Sequence, residues 1–231
     1  MTSTDGDGRV IARFEKHDRR KTSDHVCAHI VASLVQGRLR SGDRIDIDKI
    51  AEQLGVSRIP VREAVLQLKS DGLIVSEYHR PARVAQLDER AVLEHFELYA
   101  VLMGVAMQRL AADPGAAATI ERLAETVGRI DGTPKTDEET FEARARDFYR
   151  VILVASAGPK LRSMIASFRH VLVHAYRNLD TAARAAQADW IHMEFEALRA
   201  GDGRRAADLM LENLHHLGSR FVDELRARDV L

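Results

Sequence analysis

Apolar residues recur at helical spacing in short segments near the start of the chain. In the first segment Val26, Ile30 and Leu34 lie four residues apart and form one apolar stripe. This stripe and similar ones that follow predict helices over residues 23–36, 46–54 and 58–71, with Asp46 and Ser57 as N-caps. Two short strands are predicted next, over residues 73–76 and 83–86. Three helices followed by a β-hairpin are the outline of a winged helix-turn-helix domain.

From residue 88 onward the periodicity is helical throughout, and only clusters of Gly, Pro and Asp interrupt it. Helices are predicted near residues 88–112, 116–130, 137–157, 160–178, 181–200 and 203–228. The chain is therefore predicted to be mainly α, and it divides into three parts. These are a flexible basic N-terminal extension over residues 1–21, a winged helix-turn-helix over 22–86 and a helical domain over 87–231.

The composition excludes several classes of protein and hides an uneven distribution of charge. A single cysteine, Cys27, leaves no intramolecular disulfide, and apolar runs such as residues 151–157 are too short to span a bilayer. The first ten residues lack the apolar core of a signal peptide, so we expect a cytoplasmic protein with no membrane partner. The net charge is −1, yet residues 1–85 hold fifteen basic and twelve acidic side chains, against nineteen and twenty-three in the rest. The mildly basic first part is the one suited to nucleic acid.

Two arginines make the third predicted helix a candidate recognition helix. Arg58 and Arg62 are four residues apart, so they share one helix face, opposite the apolar stripe that contains Val61 and Leu68. Arginine suits a guanine edge or a phosphate because its guanidinium donates two parallel hydrogen bonds. The spacing alone leaves open that these side chains only form an ordinary solvent-exposed face.

The segment around these arginines resembles the signature of the GntR-type bacterial transcription regulators. Residues 50–73 read IAEQLGVSRIPVREAVLQLKSDGL, and residues 37–45 read GRLRSGDRI where the family has GxLxPGDxL. The resemblance implies that Arg58 and Arg62 contact DNA, with Ser57 beside them at the same end of the helix. Lys49, in the preceding helix, is interpreted either as a phosphate contact or as an ordinary exposed lysine.

The predicted wing departs from the family pattern at its tip. Residues 79–84 read HRPARV where the family often has GRGAxV, so both glycines are replaced and we expect a stiffer tip. Arg80 and Arg83 remain as cations for the DNA backbone or the minor groove. His79 is either a further contact or an exposed turn residue.

The helical domain resembles the FCD effector domain of the FadR-like subfamily, through ARDFYRVI at residues 145–152 and IHMEFEALRAGD at 191–202. The resemblance implies an antiparallel bundle of six or seven helices around a ligand cavity, where many members hold a divalent metal with one Asp and three His. The corresponding positions here hold Ala145, Tyr149, Ile191 and Asn213. We therefore expect no metal and no cofactor, although an alignment shifted by one residue would bring His192 into the set.

Six polar side chains are candidates for an effector pocket. They are Tyr99, Tyr149, His170, His174, His192 and Asn213. The two histidines at positions 170 and 174 share a helix face, which suits a zinc site, a polar cavity lining or two unrelated side chains. Since the usual metal ligands are missing, an apolar or metal-independent effector is favoured over a metal-chelating carboxylate.

The expected function is that of a ligand-responsive transcriptional repressor and not of an enzyme. A homodimer would bind a short palindromic operator in double-stranded DNA, and the helical domain would bind a small-molecule effector of unknown identity. The protein would then be nucleoid-associated in the cytoplasm. Two alternatives remain from the sequence: a helical metal-dependent enzyme with an accessory DNA-binding module, and a DNA-binding dimer without an effector.

Overall fold

The computed structural model describes residues 16–76 and 80–231 of the chain. The first part is a winged helix-turn-helix and the second is a bundle of helices, as the sequence predicts. Within the described residues no helix is both long and apolar enough to cross a membrane. The N-terminal extension predicted for residues 1–21 lies mostly outside the described residues, and the first helix already begins at Lys16.

The winged helix-turn-helix consists of three helices and a two-stranded antiparallel sheet. Its elements are α1 (Lys16–Val35), α2 (Ile47–Leu54), α3 (Arg58–Ser70), β1 (Ile74–Val75) and β2 (Arg83–Val84). Ile74 pairs with Val84, so one buried apolar residue from each strand faces the helices. The buried stripe of α3 packs against the stripe of α1, which contains Val26 and Ile30.

Local signals in the sequence explain where α2 begins and ends. The Asp46 side chain accepts hydrogen bonds from the backbone N–H groups of Asp48 and Lys49, and thus caps the start of α2. Gly55 ends the helix in the left-handed conformation with φ of 63°, which glycine adopts without a steric penalty. The turn that follows leads directly into α3.

Seven helices make up the described remainder of the chain. They are α4 (Glu89–Ala111), α5 (Ala117–Asp131), α6 (Glu138–Ser156), α7 (Pro159–Ala166), α8 (Arg169–Arg177), α9 (Thr181–Arg199) and α10 (Gly203–Ala227). The long helices α4 and α10 pack along each other, and the rings of Phe96 and Phe221 lie 5.8 Å apart in their interface. Helix α8 also packs against α1, so it joins the two domains.

The prediction of one helix over residues 160–178 is wrong, because the chain turns between α7 and α8. The backbone N–H of Ser167 donates to the Met164 carbonyl, and that of Phe168 donates to the Ile165 carbonyl. Each of these bonds spans three residues, whereas the backbone bonds of an α-helix span four. The Ser167 hydroxyl also donates to the Met164 carbonyl at 2.6 Å, which competes with the helical pattern. Neither residue is a Gly or a Pro, so the sequence gives no signal for this turn.

We expect Gly203→Ala, at the first position of α10, to destabilise the protein by about 1–2 kcal/mol. A Cβ atom there would lie 2.8 Å from the Gln108 Cα atom, so the backbones of α10 and α4 would have to separate. Urea unfolding followed by far-UV circular dichroism would measure the loss. Gly128→Ala in α5 is the matched control, since a Cβ atom there meets nothing within 4 Å and the better helix propensity should stabilise by about 0.5–1 kcal/mol. Equal shifts in both variants would contradict the close approach.

Candidate functional site

The exposed face of α3 carries the two arginines that the sequence predicts to contact DNA. Arg58 and Arg62 are exposed, whereas Val61 and Leu68 on the opposite face are buried. The Arg58 Nε atom lies 2.7 Å from Asp48 Oδ1, and both side chains are about two-thirds exposed. This ion pair links the first turns of α2 and α3, and it holds the Arg58 guanidinium at the end of α3 that would enter a major groove.

Ser57 and Lys49 lie at the same end of the two helices. Ser57 occupies the N-cap position of α3 in an extended conformation, but its hydroxyl makes no capping hydrogen bond, contrary to the prediction that it caps the helix. Lys49 is exposed in the first turn of α2, next to Asp48. The cations Arg58 and Lys49 and the Ser57 hydroxyl thus lie near the first turns of α2 and α3, and such groups suit DNA phosphates and base edges.

The base of the wing is fixed to the turn between α1 and α2. Arg83 Nη1 donates to the Gly42 carbonyl at 2.8 Å, and the Gly42 N–H donates to the Val84 carbonyl at 3.0 Å. The exposed Arg83 side chain therefore braces the wing as well as presenting a positive charge. Arg80 is exposed, and His79 lies outside the described residues.

A buried hydrogen-bonded cluster lies in the helical domain, where α6, α9 and α10 meet. Asn213 Nδ2 lies 3.0 Å from Glu194 Oε1 and 3.3 Å from the Tyr149 hydroxyl. Burial raises the pKa of the Glu194 carboxyl from its ordinary 4.5 to about 7, while hydrogen bonding with Asn213 and Tyr149 acts in the opposite direction. The cluster therefore contains a carboxyl group that keeps its proton up to about neutral pH.

Sequence reasoning missed Glu194, although a signal for it exists. Ile191, Glu194 and Leu198 follow the three- and four-residue spacing of the buried face of α9. A carboxylate on such a stripe is rarely buried without a polar partner. Its position on the stripe thus pointed to an internal polar contact.

The four positions at which the resemblance implies metal ligands do not form a metal site. Ala145 and Ile191 have no donor atoms, and Tyr149 and Asn213 are hydrogen-bonded to each other. His192, the substitute from a shifted alignment, points instead to Asp131, with 2.7 Å between Nε2 and Oδ1. No group of three or more His, Cys, Asp or Glu side chains arranged to hold a metal occurs in the described part of the chain.

A cavity of about 320 Å³ lies between α4, α6, α7 and α8. Its wall is mostly aliphatic and aromatic, and it includes Tyr99, Tyr149 and Tyr176. The charged residues that line it are Arg146, Arg150, Arg162, Arg169 and Glu142. We call this space the bundle cavity.

The structure brings only part of the predicted effector set to the bundle cavity. Tyr99 and Tyr149 line it. Asn213 does not line the cavity but contacts the Tyr149 hydroxyl, and none of the three histidines lines it. His174 packs against Phe221, and burial with nearby arginines lowers the pKa of its imidazole to about 4. His170 faces the winged helix-turn-helix, so the two histidines do not form a joint site.

Two pairs of side chains tie the first turn of α8 to the winged helix-turn-helix. Arg169 forms an ion pair with Asp24 of α1. His170 Nδ1 lies 2.8 Å from Asp71 Oδ2, at the residue that ends α3, and the two side chains are 9% and 4% exposed. Arg169 Nε also lies 3.2 Å from His170 Nε2, so the four side chains form one chain of contacts. We call these four residues the interdomain relay.

Two family models match the chain and cover most of it. The model described as bacterial regulatory proteins, gntR family, matches residues 22–84, and the FCD domain model matches residues 89–216. An uncharacterised HTH-type transcriptional regulator of Mycobacterium tuberculosis H37Rv is 35% identical over 161 residues, which are 68% of this chain and 63% of that protein. The "Probable D-xylose utilization operon transcriptional repressor" of Paenarthrobacter nicotinovorans is 33% identical over 155 residues, 65% of this chain and 66% of that one. The matched region is thus slightly less than two thirds of each relative.

Solved structures share the same architecture. Escherichia coli McbR/YncC superposes with a TM-score of 0.59 at 21% identity, over 89% of this chain and 97% of that one. Lar, which controls the expression of the Listeria monocytogenes agr system, superposes with a TM-score of 0.58 at 16% identity, over 87% and 96%. At these identities the likeness supports the fold.

Proposed function

The chain belongs to the gntR family of bacterial regulatory proteins and carries an FCD domain, and from this premise we propose that it is a ligand-responsive repressor that binds a palindromic operator as a homodimer. Membership makes it a DNA-binding transcriptional regulator and not an enzyme. The observation that carries the proposal is the pair Arg58 and Arg62, exposed on the free face of α3. Repression, as opposed to activation, is supported by the name of the Paenarthrobacter relative, which is called a probable transcriptional repressor.

We assign base contacts to the start of α3 and backbone contacts to its surroundings. Arg58 and Arg62 would reach base edges in the major groove, and Ser57 would contact a phosphate beside them. Lys49 is placed to contact a phosphate from α2. Arg80 and Arg83 would bind the backbone or the minor groove next to the wing, and His79 remains a candidate at its tip.

Dimerisation and effector binding are assigned to the helical domain over residues 87–231. Leu98 and Val101 are three residues apart on α4 and 46% exposed, which suits a contact with a second copy. Tyr99 and Tyr149 would contact an effector in the bundle cavity, and Asn213 would orient Tyr149. We leave His170, His174 and His192 out of the proposed effector site, because they do not line the bundle cavity. The regulator would act on the nucleoid in the cytoplasm.

Operator binding tests the proposal directly. Selection from a random duplex pool should yield a two-fold symmetric site, and fluorescence anisotropy should show tight binding to it and weak binding to a shuffled duplex. The logarithm of the affinity should fall linearly with the logarithm of the salt concentration, because phosphate contacts release counterions. Sedimentation of the complex should give two chains per duplex. Equal affinity for both duplexes, or one chain per duplex, would refute the proposal.

A further inference from the structure

We infer that an anionic ligand in the bundle cavity takes Arg169 away from Asp24 and so releases the winged helix-turn-helix from α8. This inference rests on the proposed effector function and adds to it the charge of the effector and the route of its action. The observation behind it is that Arg169 takes part in two sites. Its side chain lines the bundle cavity, and it also pairs with Asp24 across the domain boundary.

The pair between Arg169 and Asp24 is of a kind that a ligand can exchange. The two side chains are 39% and 38% exposed, so water already competes for their charges and the net stabilisation of the pair is small. A carboxylate or phosphate inside the cavity would meet the same guanidinium, and a guanidinium binds either anion through parallel hydrogen bonds. One arginine then has two alternative partners.

The charges around the bundle cavity favour an anion over a cation. Four arginines line it against a single acidic residue, Glu142, which is already held by Arg146 at 2.8 Å and by Arg177 at 2.9 Å. Arg150 pairs with Asp147, whereas Arg162 has no ion pair with any side chain of residues 22–76 and 80–231. The cavity therefore holds excess positive charge.

The uncharged residues of the cavity wall indicate the chemistry of the rest of the ligand. Leu153, Ile165, Leu172 and Val173 line the cavity together with three tyrosine rings. Such a wall contacts an apolar body and offers few hydrogen bonds. The ligand class that fits is an anion with an apolar body, and its charged group is either a carboxylate or a phosphate.

The interdomain relay gives the exchange a route to the recognition helix. Arg169 contacts His170, which contacts Asp71 at the end of α3. Helix α8 begins just after the turn at Ser167 and Phe168, so its first residues can move without distorting a longer helix. Losing the Asp24 contact would loosen the hold on α1 and, through His170, on the end of α3. Since α3 carries Arg58 and Arg62, its orientation in a dimer would change.

Four probes with alkyl chains of equal length test the ligand class on the intact protein. Isothermal titration calorimetry with octanoate, octyl phosphate, octanol and octylamine separates the charge from the apolar body. At least one anion should bind tenfold or more tightly than octanol, and octylamine should bind most weakly. Comparing the two anions distinguishes a carboxylate from a phosphate. No binding of either anion, or equal binding of octanol, overturns the inference.

Asp24→Asn tests the exchange itself, because Asp24 does not line the cavity. Removing the competing carboxylate should raise the affinity for the tighter anion about tenfold, within the range of ordinary coupling between sites. In the Arg169→Gln background the same change should have no effect. Arg162→Gln is the matched control: it should weaken anion binding but leave the tenfold gain from Asp24→Asn intact. An unchanged or lower affinity in Asp24→Asn overturns the inference, and Asp24→Ser repeats the test if that variant unfolds.

This readout requires no DNA, so it separates failure of the inference from failure of the proposed function. If the chain binds no operator, the proposed function fails while the anion affinities still report the exchange. If operator binding is intact, reciprocity requires the tighter anion to weaken it by the factor by which DNA weakens anion binding. An anion that binds without any effect on operator affinity overturns the release of the winged helix-turn-helix.

Discussion

Arg62→Ala is expected to weaken binding to the selected operator by about 1–3 kcal/mol, roughly a five- to 150-fold loss of affinity. The side chain is exposed one turn into α3, and its guanidinium forms no ion pair with any side chain among residues 22–76 and 80–231. Loss of a base contact removes discrimination, so affinity for a shuffled duplex should change much less. Fluorescence anisotropy on both duplexes, at one fixed salt concentration, measures this difference.

Three variants separate the base contacts from general electrostatics. Arg58→Ala should also reduce discrimination, because Arg58 lies on the same face of α3 beside Asp48. Lys49→Ala should weaken binding to both duplexes equally and reduce the salt slope by about 1. Arg204→Ala removes an exposed arginine at the start of α10 and should change neither. Unchanged operator affinity in both arginine variants of α3 would refute the assigned interface.

Glu194→Gln is expected to remove a pH dependence of about 3 kcal/mol from the stability of the protein. The native carboxyl has a pKa of about 7, whereas an unfolded chain has the ordinary 4.5. Between these values the native state holds a proton that the unfolded state has lost. Stability from this group is therefore complete below about pH 4.5, falls as the pH rises, and is lost above about pH 7. Glutamine keeps the size of the side chain and cannot ionise.

Urea unfolding at pH 5 and pH 8 measures this effect as a difference between two proteins. The variant and the parent should have similar free energies of unfolding at pH 5, and the variant should be the more stable at pH 8. His174 has a native pKa lowered to about 4, so its contribution to protein stability decreases as the pH falls. Both proteins contain His174, so this contribution cancels in their difference. Glu196→Gln, which replaces an exposed carboxylate on the same helix, should differ from the parent by the same amount at both pH values. An equal difference at both pH values would rule out a buried neutral Glu194.

Local signals carry most of what the sequence predicts about the fold. Asp46 and Gly55 fix the ends of α2 through bonds within a few residues, so their effect is readable without a structure. The turn at Ser167 has no such signal, because serine and phenylalanine do not mark a helix end as strongly as glycine or proline does. It is visible only when the three-residue backbone bonds are known. Helix periodicity likewise finds the arginines of α3, whose role depends only on which face is buried.

The proposed effector site was harder to predict, because contacts inside the bundle join residues that are far apart in the sequence. His170 and His174 share a helix, but one faces Asp71, ninety-nine residues away, and the other faces Phe221. Hydrophobic periodicity predicts which side chains share a helix face, but it does not predict which residues of other helices contact that face. Asn213 and Tyr149 do meet, since the family pattern already brings their helices together, whereas the contact of Asn213 with Glu194 was not expected.

The brace between Arg83 and Gly42 bears on how the wing meets DNA. Together with the backbone bonds from Gly42 to Val84 and from Val84 to Asp43, it fixes the base of the wing to the turn between α1 and α2. The conformational entropy of this segment is then lost during folding and does not oppose association. Association with DNA is thus a docking of preorganised surfaces at the wing base, and the segment needs no coupled folding step there.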